Sequence, residues 1–258
     1  MGQSRALTEH LIKEVNNLCD SLMFRLEPDI DLSQIKDDMT NSDNGYSFVT
    51  DPKNNLTSAY LELLQRAYTA RHGCLSRDDR WNWSEVDRYR KKEEDFRELL
   101  GLAMSLTGGQ QPRWPELSSL WVENGELGPR GLYIHKGYFI YVVRHHKAKR
   151  STNREFVVVC FLLAELALAL FKYCTYVRPF IDLLDRERGA GNGLAMIGQS
   201  SSPLLFRTQS LFSNSKPWHM SRFTNVLRKV TFKVWGFAVN SRLLRHICVS
   251  NSYSPHFA

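Results

Sequence analysis

Residues 131–147 read GLYIHKGYFIYVVRHHK. Tyr, Ile, Phe and Val crowd both sides of His135-Lys136-Gly137. Such residues suit a pleated surface, and the glycine step between two short apolar runs predicts a β-hairpin. The next apolar stretch, FVVVCFLLAELALALF at 156–171, opens with β-branched residues and then turns to Leu and Ala. This change predicts a strand over Phe156–Val159 that feeds a buried helix at about 161–177. A transmembrane helix needs roughly 20 apolar residues. This run is shorter and holds Glu165 near its middle, where a carboxylate in lipid is costly. The balance is against a membrane, although a membrane-associated protein built on 156–176 stays as an alternative.

Outward from the hairpin the chain reads as helices. Residues 4–24 place Leu7, Leu11, Val15, Leu18 and Leu22 at helical spacing. Residues 27–55 are rich in Asp, Asn, Ser and Gly and read as a partly disordered loop. A helix is expected over 57–70 and another over 91–105, with Phe96, Leu99, Leu100 and Met104 on one face. Between hairpin and helix, GGQQPRWPELSSLWVEN at 108–124 is a loop with a short helix starting near Pro115. Beyond the buried helix, 186–203 reads as a Gly/Ser loop, LLFR as a short strand, 220–236 as a basic amphipathic helix ending at Gly236, and NSRLLRHICVS (240–250) as the last helix. The expected fold is mainly α with a small antiparallel β-hairpin or sheet (α+β). Residues 1–90 would form a helical N-terminal segment and 91–258 a second unit.

The chain has 258 residues, a formal net charge of +7 and a pI near 9.2. That excess favours polyanionic partners, nucleic acid above all. Five cysteines at 19, 74, 160, 174 and 248 form no Cys-x-x-Cys pair or zinc spacing, which fits a reducing, intracellular setting. The N-terminus lacks a signal core, and Ala6 stands where a myristoylation signal prefers Ser or Thr. There is no G-x-G-x-x-G in a strand–helix context. No metal or organic cofactor is expected.

Two basic constellations remain. Arg113 sits between Pro112 and Pro115, which restrict its backbone, and Glu116-Leu117 begin a helix. A guanidinium held there suits a phosphate, since it donates to two oxygens at once. The competing reading pairs it with a nearby carboxylate. Near the other end, Arg242, Arg245 and His246 share one side of a helix, which could equally be a solvated face.

The order of these parts resembles the catalytic domain of tyrosine recombinases, the phage-integrase fold. G-Q-x-x-R-x-x-E-L at 109–117, V-x-R-x-H-K at 142–147 and L-R-H-I at 244–247 carry the likeness, over roughly 95–250. It is strongest to a fungal Crypton-like group. Degenerate relatives there lie beside or fused to telomere-associated RecQ-type helicases, which makes such a helicase region at the same locus a candidate partner. The resemblance implies a nuclear, mobile-element-derived protein of DNA recombination and integration. Arg113, Lys147 (with Lys149 as runner-up), Arg245 and His246 would be vestigial catalytic positions. Arg242, Lys149, Arg150, Arg154, Arg228 and Lys229 would contact DNA phosphate.

In that family a tyrosine attacks a phosphodiester, arginines stabilise the developing charge and a lysine protonates the leaving oxygen. Here Arg242 stands where the family has His or Lys, and guanidinium does not give up its proton near neutral pH. Tyr253 in NSYSPHFA comes too early for the family's nucleophile, as does His256. The expectation is a degenerate, C-terminally truncated domain without a nucleophile that binds duplex DNA weakly and salt-sensitively. A helical nucleic-acid-associated module without recombinase ancestry is the second alternative.

Overall fold

The computed structural model describes residues 2–70, 74–108, 112–144, 157–191, 202–208 and 216–244. About half of the chain is helical, and two antiparallel sheets have two and three strands. The architecture is thus mainly α with a small β part.

Helix α1 (Gly2–Leu22) buries Leu7, Leu11, Val15, Cys19 and Leu22, a stripe with helical period. It lies along α3 (Trp83–Thr107), whose Val86, Tyr89, Phe96 and Leu100 form the facing stripe. The proposed division at 90/91 falls inside α3, and one apolar core includes Leu7, Leu63, Phe96, Leu166 and Leu227. Helix α2 (Tyr60–Thr69) and a hairpin of β1 (Ser76–Arg77) and β2 (Arg80–Trp81) precede α3. The polar stretch 27–55 forms a loop of turns with a 3-10 turn at Pro52–Asn54. It is pinned from within and without. Asn54 donates to the Lys36 and Phe48 carbonyls (2.7 Å each), and Asp37 forms a fully buried ion pair with Arg130.

The hairpin is β3 (Leu132–His135) and β4 (Tyr138–Val143), paired from Leu132↔Tyr141 to His135↔Tyr138. Lys136 and Gly137 both have positive φ (49° and 82°), as a two-residue turn of this hand requires. A third strand, β5 (Val158–Phe161), pairs with β4. The strand expected over 156–159 therefore extends to Phe161, and Phe156 lies outside the described residues. Leu162 N–H donates to the Phe139 carbonyl (3.0 Å), so pairing persists past the strand and the helix cannot start at 161. It starts instead as α5 (Ala164–Lys172), continues through a five-residue π segment (Tyr173–Val177) and runs on as α6 (Arg178–Gly191). The loop expected from 186 thus begins no earlier than 192. Every residue of the π segment is buried. Glu165, the anomaly in the apolar run, faces solvent at the start of α5. Among the described residues no helix is long and apolar enough to cross a membrane, since 157–177 is divided between a strand and a broken helix.

LLFR forms isolated bridges rather than a strand: Leu204 with Trp121 and Arg207 with Pro217. Helix α7 (Met220–Trp235) follows His219 and stops at Gly236, whose φ of 77° gives a left-handed C-cap.

Candidate nucleic-acid interface

Helix α4 (Trp114–Ser118) begins directly after Arg113, which is its extended N-cap residue (φ −73°, ψ 147°). The Glu116 carboxylate accepts the backbone N–H of Arg113 at 2.8 Å. The motif's acid is thus used on the main chain, as a capping-box residue is. The Arg113 guanidinium is exposed and makes no ion pair among the described residues. The next residue points inward: Trp114 is 3% exposed, stacks on Phe223 of α7 with ring centroids 4.4 Å apart, and donates from its indole to the Trp218 carbonyl at 3.4 Å. The outward Arg113 is therefore set on a turn fastened to α7.

Of the phosphate candidates on α7, Arg228 and Lys229 are exposed on its outer side and have no carboxylate partner among the described residues. Arg222, another cation of the same helix, is committed elsewhere. It bonds Glu94 (3.0 Å) and Glu98 (2.7 Å) of α3 and lies 4.0 Å from the Trp218 ring centroid. Burial works against the Glu94 charge, yet Arg222 outweighs it and holds that carboxyl below its usual range. Asn240 caps a helical turn over 241–244, its side chain accepting from Leu243 N–H at 2.9 Å. Val239 N–H donates to Thr231 Oγ1 of α7 (3.0 Å), and Leu244 is buried, so Arg242 is exposed on a turn tied to the same helix. Arg113, Arg228, Lys229 and Arg242 are thus carried by one packed unit centred on α7. Lys147, Lys149, Arg150, Arg154, Arg245 and His246 lie outside the described residues, as do Tyr253 and His256. Among the described residues no group of His, Cys, Asp and Glu could hold a metal ion.

One cluster escaped the sequence reading. Glu93 and Arg97, one turn apart on α3, are both buried and paired (Nε to Oε1, 2.6 Å). The Tyr173 hydroxyl donates to Glu93 at 2.8 Å, Arg97 donates to the Arg207 carbonyl at 2.7 Å, and Arg207 pairs with Asp182 of α6. Burial works against the Arg207 charge, but Asp182 beside it raises its pKa further above the ordinary arginine value. Burial and the Glu93 charge raise that of Tyr173, which keeps its proton as a donor. This network joins α3, the π segment and residues 202–208. The sequence does carry a trace of it: Glu93 and Arg97 lie on the stripe of Phe96 and Leu100, yet RKKEEDFRE reads as a solvated face.

No protein-family model matches the chain, and no solved structure matches it.

Proposed function

We propose that this chain is a degenerate, tyrosine-recombinase-like DNA-binding protein that holds duplex phosphates without cleaving them. The observation that carries this reading is the guanidinium of Arg113, which has no carboxylate partner among the described residues and is held outward on a turn locked to α7 by the Trp114–Phe223 stack. Arg228, Lys229 and Arg242 on the same unit add cations without carboxylate partners among the described residues. Arg245, His246 and Lys147 belong to the reading by resemblance alone, as do the nuclear location, the mobile-element origin and a RecQ-type helicase region as partner. Strand cleavage is absent because Arg242 replaces a residue able to exchange a proton, and because Tyr253 comes too early in the sequence for the family's nucleophile.

Duplex binding weakens as salt rises, and each phosphate contact contributes roughly −0.9 to the slope of log affinity against log salt. Arg113→Gln flattens that slope by about one contact. The thermal midpoint stays unchanged, because this side chain is exposed and makes no ion pair among the described residues. Fluorescence anisotropy with a labelled duplex between low and physiological salt measures both quantities. A slope identical to that of the parent protein removes Arg113 from the interface, and no binding at low salt removes the function. A nicked suicide duplex gives no covalent protein–DNA band on a denaturing gel. A band that vanishes in Tyr253→Phe would overturn the non-cleaving assignment.

A further inference from the structure

The C-terminal ends of α1 and α2 and the first half of α3 enclose a cleft of about 810 Å3, lined by none of the residues proposed above to contact duplex DNA. Phe24, Leu75 and Tyr89 form its apolar wall, and the Phe24 and Tyr89 rings are stacked at 5.4 Å with 11° between their planes. Tyr89 is locked by its hydroxyl, which donates to the Leu22 carbonyl at 2.9 Å, whereas Phe24 is only half-buried. Arg25, Arg66, Arg88 and Lys92 bring positive charge to the rim, and Asp20 and Glu85 bring negative charge.

The charges do not cancel. Glu85 is taken by Arg88 (2.6 Å), and Asp20 faces Lys172 (3.9 Å). Arg25, Arg66 and Lys92 have no carboxylate partner among the described residues, and Lys92 reaches only the Ser21 hydroxyl (3.2 Å). Nor are these cations needed to cap the helix ends. The Cys19, Asp20 and Ser21 carbonyls accept backbone N–H groups from Met23, Arg25 and Phe24, and the Arg66 and Ala67 carbonyls accept from Ala70 and Leu75. A further sign lies in the backbone. Phe24 and Arg25 are consecutive non-glycine residues at φ 48° and 56°, a left-handed pair that bulky side chains avoid. This turn is the C-terminal cap of α1, with Arg25 N–H on the Asp20 carbonyl and Phe24 N–H on the Ser21 carbonyl, and it sets the Phe24 ring and the Arg25 side chain in the wall of the cleft.

We propose that this cleft binds a nucleotide, with the base against Phe24 and the phosphate among Arg25, Arg66 and Lys92. Aromatic rings take a base by stacking whatever its identity, and guanidinium donates to two phosphate oxygens at once. A cleft of this volume has room for a fused-ring base and its sugar. The nucleotide is either free or one unit of a single strand, and the chemistry recognised is the same.

Isothermal titration of the full chain at low salt, with adenosine monophosphate, adenosine, inorganic phosphate and phenyl phosphate as probes, tests the assignment. Adenosine monophosphate saturates one site, and each of the other three binds at least about tenfold more weakly, because each lacks the base or the phosphate that the cleft holds. Arg25→Asn with Arg66→Gln costs at least about tenfold in that affinity without lowering the melting temperature, since asparagine tolerates left-handed φ and neither arginine has a carboxylate partner among the described residues. Lys92→Met is the second variant if the double one does not fold. No saturable binding, phosphate or phenyl phosphate binding as tightly as adenosine monophosphate, or a double variant that binds like the parent would each overturn the proposal. An oligodeoxyadenylate that competes more tightly than the mononucleotide assigns the source to a strand, and one that competes no better assigns it to the free nucleotide. Arg113→Gln leaves the nucleotide affinity unchanged, so this result stands apart from the duplex-binding reading.

Discussion

At the scale of single residues, opposite settings explain why two arginines, each with a glutamate three or four positions away, differ. Arg113 is exposed because its nearest acid, Glu116, is occupied with a backbone N–H. Arg97 is fully buried because Glu93 neutralises its charge and accepts from one terminal nitrogen, the Arg207 carbonyl accepts from the other, and Tyr173 in turn donates to Glu93. A buried ion pair contributes modestly as a whole, but one member left alone is an uncompensated charge. Arg97→Met should therefore cost about 3–5 kcal/mol in urea unfolding. Glu93→Leu added to it should recover part of the loss, because both buried charges are then gone. A double variant less stable than Arg97→Met would show that Glu93 is held mainly by Tyr173 and by other groups than the arginine.

At the scale of elements, turns and ladder register set the boundaries. Lys136-Gly137 closes β3 onto β4 with both residues at positive φ. A Cβ on Gly137 would meet Ser33 at 3.4 Å, an ordinary contact, so the cost of Gly137→Ala comes from backbone conformation. It should be about 1–2 kcal/mol. Lys136→Asn should gain a few tenths of a kcal/mol, since asparagine tolerates that region. Thermal melts of both variants check the pair, and equal midpoints would mean that the turn does not contribute to stability. Gly108 plays a different part. A Cβ there would lie 2.0 Å from the Tyr141 hydroxyl, which donates to the Met104 carbonyl at 3.0 Å. The end of α3 and strand β4 meet at that bond.

At the scale of the molecule, one core runs from α1 to the turn that carries Arg242, and the cysteines report on it. Cys19 and Cys174 are buried, and burial pushes both thiols up to about 12. Cys160 is buried in β5, and burial raises it too. Cys74 is half-buried beside the β1–β2 hairpin. Of these four described cysteines, Cys74 should be the first that a thiol reagent modifies in the native protein at mildly alkaline pH. Cys19, Cys160 and Cys174 should react only as fast as the chain unfolds, because a protonated thiol in a closed core is no nucleophile. Peptide mass spectrometry over a labelling time course follows each site, and Cys19 reacting alongside Cys74 would contradict the packing of α1 against α5.

The amphipathic stripes of α1, α3 and α7, the hairpin around Gly137 and the capped turn at Arg113 could be read from residue order alone, because each depends on neighbours three or four positions away or on one restricted backbone step. The basic balance, too, is set by residue order alone, and the proposed duplex-binding reading starts from it. Its misplacements have long-range causes. The extent of β5 follows from its register against β4, and the start of α5 follows from the bond between Leu162 and Phe139, twenty-three residues apart. The continuous course of α3 through residue 90 depends on the stripe it shares with α1. The burial of Glu93 and Arg97 needed Tyr173, Asp182 and Arg207, brought from far along the chain, and no local pattern separates that pair from an exposed one. The cleft between α1, α2 and α3 is likewise a product of packing, since Arg25, Arg66 and Lys92 become neighbours only when three helices close around Phe24 and Tyr89.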